Sequence, residues 1–218
     1  MSDDKNQTLG KMDPTVQQRL FREQTAEVYA AIGRFVVEFE NACSALRFGM
    51  MQVLWADGLQ SQPLGQILLD NKFMTAAPLI EMHDAIMQEI GARSDPIQAE
   101  VLNQVSLEFR SLMEERNRLV HGHWFIGYAG IDDADYSKIG GLKGKPSKKR
   151  GMTFESLPES KEEIEELADR AKELSLFLTE ISSALHLQWT TEGSKGKFEN
   201  NFTKVGANWN RERPAKNR

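Results

Sequence analysis

Cysteine is almost missing from this chain: Cys43 is the only one among 218 residues. An intrachain disulfide is therefore excluded, and a reducing compartment such as the cytoplasm is the expectation. Long apolar runs are missing as well. No stretch approaches the roughly 18 apolar residues that a membrane-crossing helix needs, so no membrane partner is expected. Met1 to Asp13 is polar and lacks the apolar core of a secretory signal, so it reads as a disordered leader. An excess of positive charge is also absent. The formal net charge is −5, which argues against a simple basic coat for nucleic acid.

The charge is unevenly placed. Five of the eight residues from Lys143 to Arg150 are basic and none is acidic (Lys143, Lys145, Lys148, Lys149, Arg150). The stretch from Gly193 to Arg218 carries seven basic residues and two acids, 7 − 2 = +5. The acidic balance therefore lies in the body of the chain, and the extensions are able to hold phosphates electrostatically. Apolar residues make up 40% of the sequence, enough for one domain with a buried core. The expected organisation is a leader over 1–13, a helical domain over 14–190 with a basic loop over 130–151, and a flexible basic tail over 191–218.

Apolar spacing predicts the helices. Asp13-Pro14 is a cap followed by proline at the first helical position. Val28, Ile32, Phe35, Phe39, Ala42 and Leu46 then recur every three or four residues, one face of a helix reaching about Trp55. Asp57-Gly58 and Gln62-Pro63 mark a connection. A second helix is expected from about Asn71 to Ile90, split by Pro78, and Ser94-Asp95-Pro96 starts a third. Leu102, Val105, Phe109 and Leu112 form its stripe, and the next position in that stripe is Arg116. His123 to Tyr128 is short and aromatic, and is expected to pair with Met152 to Leu157 as a small hairpin. Ile164, Leu167, Ala171, Leu174, Leu178, Ile181 and Leu185 define the last helix, whose acidic first turn suits the helix dipole. The predicted fold class is all-α, a bundle of four or five helices with a possible hairpin before the last.

The densest chemistry lies at the end of the third helix, in Glu115-Arg116-Asn117-Arg118-Leu119-Val120-His121-Gly122-His123-Trp124. A guanidinium in an apolar stripe needs a carboxylate or a ligand anion to compensate it. Asn117 and His121 are four apart and share a helix face, and Gly122 reads as the residue that ends the helix. Arg116 and His121 are five apart, about 140° around a regular helix. Their convergence is expected to need either fraying at Val120 or a second subunit. Together these groups suit RNA cleavage. An imidazole moves protons at the ribose 2′-hydroxyl or the leaving oxygen, a guanidinium holds charge on the phosphate, and an amide orients either one. His121 and His123 form an H-x-H pair without a third ligand, so neither a metal nor another cofactor is expected. Cys43 reads as a packing residue, His83 and His186 as surface or core-edge residues, and Trp124 as packing beneath the loop.

The order Arg, four residues, His resembles the R-x(4–6)-H motif of HEPN domains, and Arg116-Asn117-x-x-x-His121 is similar to its Arg-Asn form. The resemblance covers the motif, with a compatible helical body from about Thr15 to Gln188. It implies a helical bundle that pairs so that two motifs share a cleft, and metal-free RNA cleavage leaving a 2′,3′-cyclic phosphate. It also implies a role as a toxin or in phage defence, with an antitoxin or other regulatory partner. Arg116 would stabilise the phosphate, His121 would be the general acid or base, and Asn117 would support them. Arg118, His123, Lys143, Lys145, Lys148, Lys149 and Arg150 are candidate RNA contacts. Two other readings remain open at this point: a non-catalytic module binding RNA, a nucleotide or a protein, and a purely structural bundle in which Arg116 pairs with Glu38 or Glu40.

Overall fold

The structure, a computed structural model, describes residues 13–70, 73–126, 136, 139–147, 151–158 and 160–190. Residues 1–12 of the expected leader over 1–13, the tail over 191–218 and the candidate contacts Lys148, Lys149 and Arg150 lie outside the described residues.

The first helix, α1 (Pro14–Ala56), has 43 residues and so runs about 65 Å. Asp13 caps it, accepting a hydrogen bond from the Thr15 amide at 2.7 Å. The last helix, α5 (Lys161–Thr190), lies along α1 in the most extensive packing of the fold. Phe35, Phe39, Ala42 and Leu46 of α1 and Ile164, Ala171, Leu174 and Leu178 of α5 are all but inaccessible to water. A Cβ on Gly49 would meet Ser182 Oγ at 2.5 Å, so glycine lets the two helices approach there. Between them in sequence come α2 (Gln62–Leu69), α3 (Ala76–Glu89) and α4 (Pro96–His121). Asp95 caps α4 through the amides of Ile97 and Gln98, both at 2.9 Å, and Phe109 of α4 packs on Phe39 with ring centres 5.3 Å apart.

Two sequence expectations about the helices change. Gln62-Pro63, read as marking a connection, opens the helix α2 (Gln62–Leu69), and Pro63 serves its first turn. The second long helix begins at Ala76 rather than near Asn71. Pro78 falls within the first turn of α3, where a missing amide hydrogen costs nothing, so it does not split the helix.

The expected two-stranded hairpin is a three-stranded antiparallel sheet, β1 (His123–Ile126), β2 (Ile139–Ser147) and β3 (Gly151–Ser156), in the order β1-β2-β3. Met152 to Ser156 pairs with β2, which inserts between it and β1. The centre strand was hidden in the sequence because it carries Gly140, Gly141, Gly144 and Pro146, residues depleted in strands. Packing accounts for one of them. The buried Leu157 side chain fills the space beside Gly141 and Gly122, where an added Cβ would stand 2.4 Å from its Cδ1 in both cases.

A polar knot ties α3 to α4. Asp84 accepts from Arg93 at 2.7 Å and from the Ser106 hydroxyl at 2.5 Å, and Arg110 reaches it at 3.4 Å. Burial raises the Asp84 carboxyl pKa, but His83, Ser106 and Arg93 outweigh it and bring the value down from 3.8 to about 2. His83, expected at the surface or core edge, is 2% exposed. Its Nδ1 lies 3.9 Å from Asp84, beyond hydrogen-bonding distance. Among the described residues, no helix is long and apolar enough to cross a membrane.

Candidate functional site

Three helices enclose a cavity of about 370 Å³, and Arg116, Asn117 and His121 all line it. The α4 wall is built from Met113, Arg116, Asn117 and His121, at spacings of three, one and four. The α1 wall presents Glu40, Cys43 and Arg47, at spacings of three and four, one face of the helix beside its apolar stripe. The start of α3, Thr75 to Ala77, closes the end. The helix α4 is unbroken through His121, so no fraying at Val120 brings the motif together. Arg116 and His121 nonetheless line one cavity within a single chain.

Arg116 is held loosely. Its Nη2 donates to Glu40 Oε1 and its Nη1 to Asn117 Oδ1, each at 3.5 Å, the long limit of a hydrogen bond. Its Nε is buried and has no partner among the described residues. The side chain is 28% exposed. A guanidinium left in this state retains donors for an anion in the cavity. Of the two carboxylates weighed against it in the sequence, Glu40 is the one that reaches it. His121 is exposed, in the last turn of α4. Gly122 follows with φ −83° and ψ 160°, so it ends the helix in an extended conformation instead of the left-handed one. Its lack of a side chain is needed because a Cβ would also meet the Arg118 carbonyl oxygen at 2.7 Å.

Cys43 sits in the cavity wall as a thiol. Burial and the Glu40 charge push its pKa up from 9.0 to about 12, against the opposing pull of Arg47 and Arg116. A thiolate, the nucleophilic form, is therefore not available near neutral pH.

Arg47 is the residue that sequence reading missed. Its Nε donates to the Leu69 carbonyl at 3.2 Å and pairs with Asp70 at 3.1 Å, while Nη2 reaches the Met74 carbonyl at 3.4 Å. Among the described residues, Nη1 has no hydrogen-bond partner. The available signal was the polar spacing Glu40–Cys43–Arg47 along an otherwise apolar helix. Thr75, the cap residue of α3, makes no side-chain cap bond, so the first amides of α3 are not satisfied by their own cap.

The remaining candidates divide. Arg118 and Lys143 meet in a separate recess of about 680 Å³ with Glu114, Glu115, Asn117, Phe154 and Ser156. Arg118 donates to Glu115 at 2.9 Å and to the Ser156 carbonyl at 2.7 Å, and Lys143 donates to the Asn117 carbonyl at 3.0 Å. These bonds fasten the sheet to the end of α4. His123 is exposed on β1 and lines neither space. Lys145 lies on β2 opposite Thr153. Trp124 is half-buried and donates to the Leu119 carbonyl at 2.7 Å, in keeping with a packing role. No cluster of three or more His, Cys, Asp or Glu able to hold a metal occurs among the described residues.

No protein-family model matches the chain, and neither a curated protein nor a solved structure matches it.

Proposed function

We propose that this protein is a metal-independent endoribonuclease of the HEPN type. The observation that carries the reading is that Arg116, Asn117 and His121 line one cavity while Arg116 has only two marginal bonds of its own. A phosphodiester in that cavity takes the unused guanidinium donors, which then gain most when charge builds on phosphorus oxygens in the transition state. The ribose 2′-oxygen attacks phosphorus, the P–O5′ bond breaks, and the products are a 2′,3′-cyclic phosphate and a 5′-hydroxyl. One group takes the 2′-hydroxyl proton and another protonates the departing 5′-oxygen. His121 serves as one of the two, and pairing of two chains brings the second His121 as the other. The protein is then a cytoplasmic homodimer acting on RNA, as a toxin or defence effector restrained by an antitoxin or another regulatory protein. Lys145, Lys148, Lys149 and Arg150 draw the RNA backbone towards it.

Incubating the full chain with a structured RNA in EDTA tests this. Cleavage that ends in cyclic phosphate and drops by roughly 10²–10⁴-fold in His121→Ala is expected. Absence of cleavage, or undiminished cleavage by the variant, ends the proposal. The Glu40–Arg116 contact motivates a second reading, a non-catalytic RNA- or nucleotide-binding module. In that case RNA binding persists in His121→Ala and no RNA is cut.

A further inference from the structure

We infer that Arg47 is a second phosphate-binding residue of the motif cavity, so that the site takes two successive phosphates of an RNA strand instead of one. The proposal rests on the RNA reading above and specifies what that site recognises.

Two guanidinium groups face this cavity from different helices, Arg116 on α4 and Arg47 on α1. They are anchored by different partners. Arg116 touches Glu40, and Arg47 lies seven residues beyond Glu40 on α1, its backbone about 10 Å further along the helix axis at 1.5 Å per residue. This arrangement fastens each guanidinium at its own anchor point, Arg116 at Glu40 and Arg47 at the Leu69 and Met74 carbonyls. It suits two phosphates of one strand. Arg47 is also pre-set for the task. The Leu69 and Met74 carbonyls and Asp70 fix its Nε and Nη2, which holds the guanidinium plane and leaves the Nη1 edge as the part without a partner among the described residues. A guanidinium held in this way loses little side-chain entropy on binding. Its neighbour in the cavity wall is the start of α3, whose first amides lack a side-chain cap. Their partial positive charge adds to the Arg47 end of the cavity. Glu40, the only acid among the described residues that line the cavity, lies at the Arg116 end. The scissile phosphate therefore belongs with Arg116, His121 and Asn117, and its neighbour with Arg47.

The test uses dinucleotides with 2′-O-methyl groups, which cannot be cut: UpU with one phosphate, and pUpU and UpUp with two. Binding is measured calorimetrically for the full wild-type chain and for Arg47→Gln, Arg47→Lys and Arg116→Gln. One of the two-phosphate ligands, pUpU or UpUp, is expected to bind about tenfold more tightly than UpU, and which one does so gives the strand direction. Arg47→Gln should erase that advantage while leaving UpU within about twofold, Arg47→Lys should keep part of it, and Arg116→Gln should weaken all three ligands. A purely structural Arg47 would instead lower the melting temperature and weaken every ligand equally, which overturns the proposal. An advantage that survives Arg47→Gln belongs to bulk charge and also overturns it. Wild type that cuts RNA and binds UpU but does not prefer either longer ligand sinks the role of Arg47 alone. Wild type that neither cuts RNA nor binds any of the three sinks the RNA reading together with it.

Discussion

Arg116 and Arg118 stand two residues apart on α4 and are held in opposite ways. Arg118 makes bonds of 2.9 and 2.7 Å to Glu115 and to the Ser156 carbonyl, whereas Arg116 has, among the described residues, only two contacts of 3.5 Å. Residues two apart on a helix face directions about 200° apart, so one guanidinium meets the sheet and the other meets the cavity. Arg118→Ala should therefore cost stability, about 1 kcal/mol for the lost bonds, and leave RNA cleavage per folded molecule unchanged. Urea denaturation paired with a cleavage assay reads both. A large loss of cleavage without loss of stability would place Arg118 among the RNA contacts instead.

On the proposed RNA reading, Glu40 competes with the phosphate for Arg116, which it contacts at 3.5 Å. Its carboxylate is 52% exposed, so the pair contributes little to stability. Glu40→Gln should leave the melting temperature nearly unchanged and raise RNA affinity about two- to fivefold, as removal of one partly screened charge predicts. Fluorescence anisotropy with a labelled, uncleavable RNA measures it. Weaker binding would mean that Glu40 positions Arg116.

Gly122→Ala places a methyl group against the Leu157 side chain and the Arg118 carbonyl. One of these neighbours is backbone and cannot give way easily. The expected cost is about 1–3 kcal/mol, together with reduced cleavage because His121 is the adjacent residue. Thermal unfolding and single-turnover cleavage check the pair of effects.

The Cys43 thiol should resist alkylation in the folded protein at pH 8 and react fully in urea. Because its folded pKa is raised from 9.0 to about 12, the protonated thiol favours the native state. That contribution is complete below pH 9 and is lost as the pH rises from there towards 12. Mass spectrometry after iodoacetamide treatment reads the reactivity, and rapid native labelling would contradict the burial of the thiol.

Asp84 gives the acid side of the stability profile. Its folded pKa is depressed from 3.8 to about 2, so the ionised carboxylate favours the native state. Its contribution, about 2 kcal/mol, is present above pH 3.8 and disappears as the pH falls towards 2. Asp84→Asn should be less stable than wild type at pH 6, and the difference should shrink over that acid range. Denaturation at several pH values follows it, and a constant difference would show that Asp84 does not titrate with folding.

Local chemistry by itself determined much of this molecule. The three-and-four apolar spacing located α1, α4 and α5, and Asp13-Pro14 and Asp95-Pro96 marked two helix starts, because helix periodicity and capping act over a single turn. The same reasoning found Arg116, Asn117 and His121 at the close of α4. The centre strand β2 was not legible, since its glycines make sense only once Leu157 lies against them. Nor was it legible which of Glu38 and Glu40, both more than 70 residues before Arg116, reaches that guanidinium, that Arg47 faces the same cavity, or that Arg118 faces away from it. Those relations depend on how α1, α3 and α4 pack. Packing is decided by apolar surface buried between segments far apart in the chain, a quantity that no short window of sequence contains.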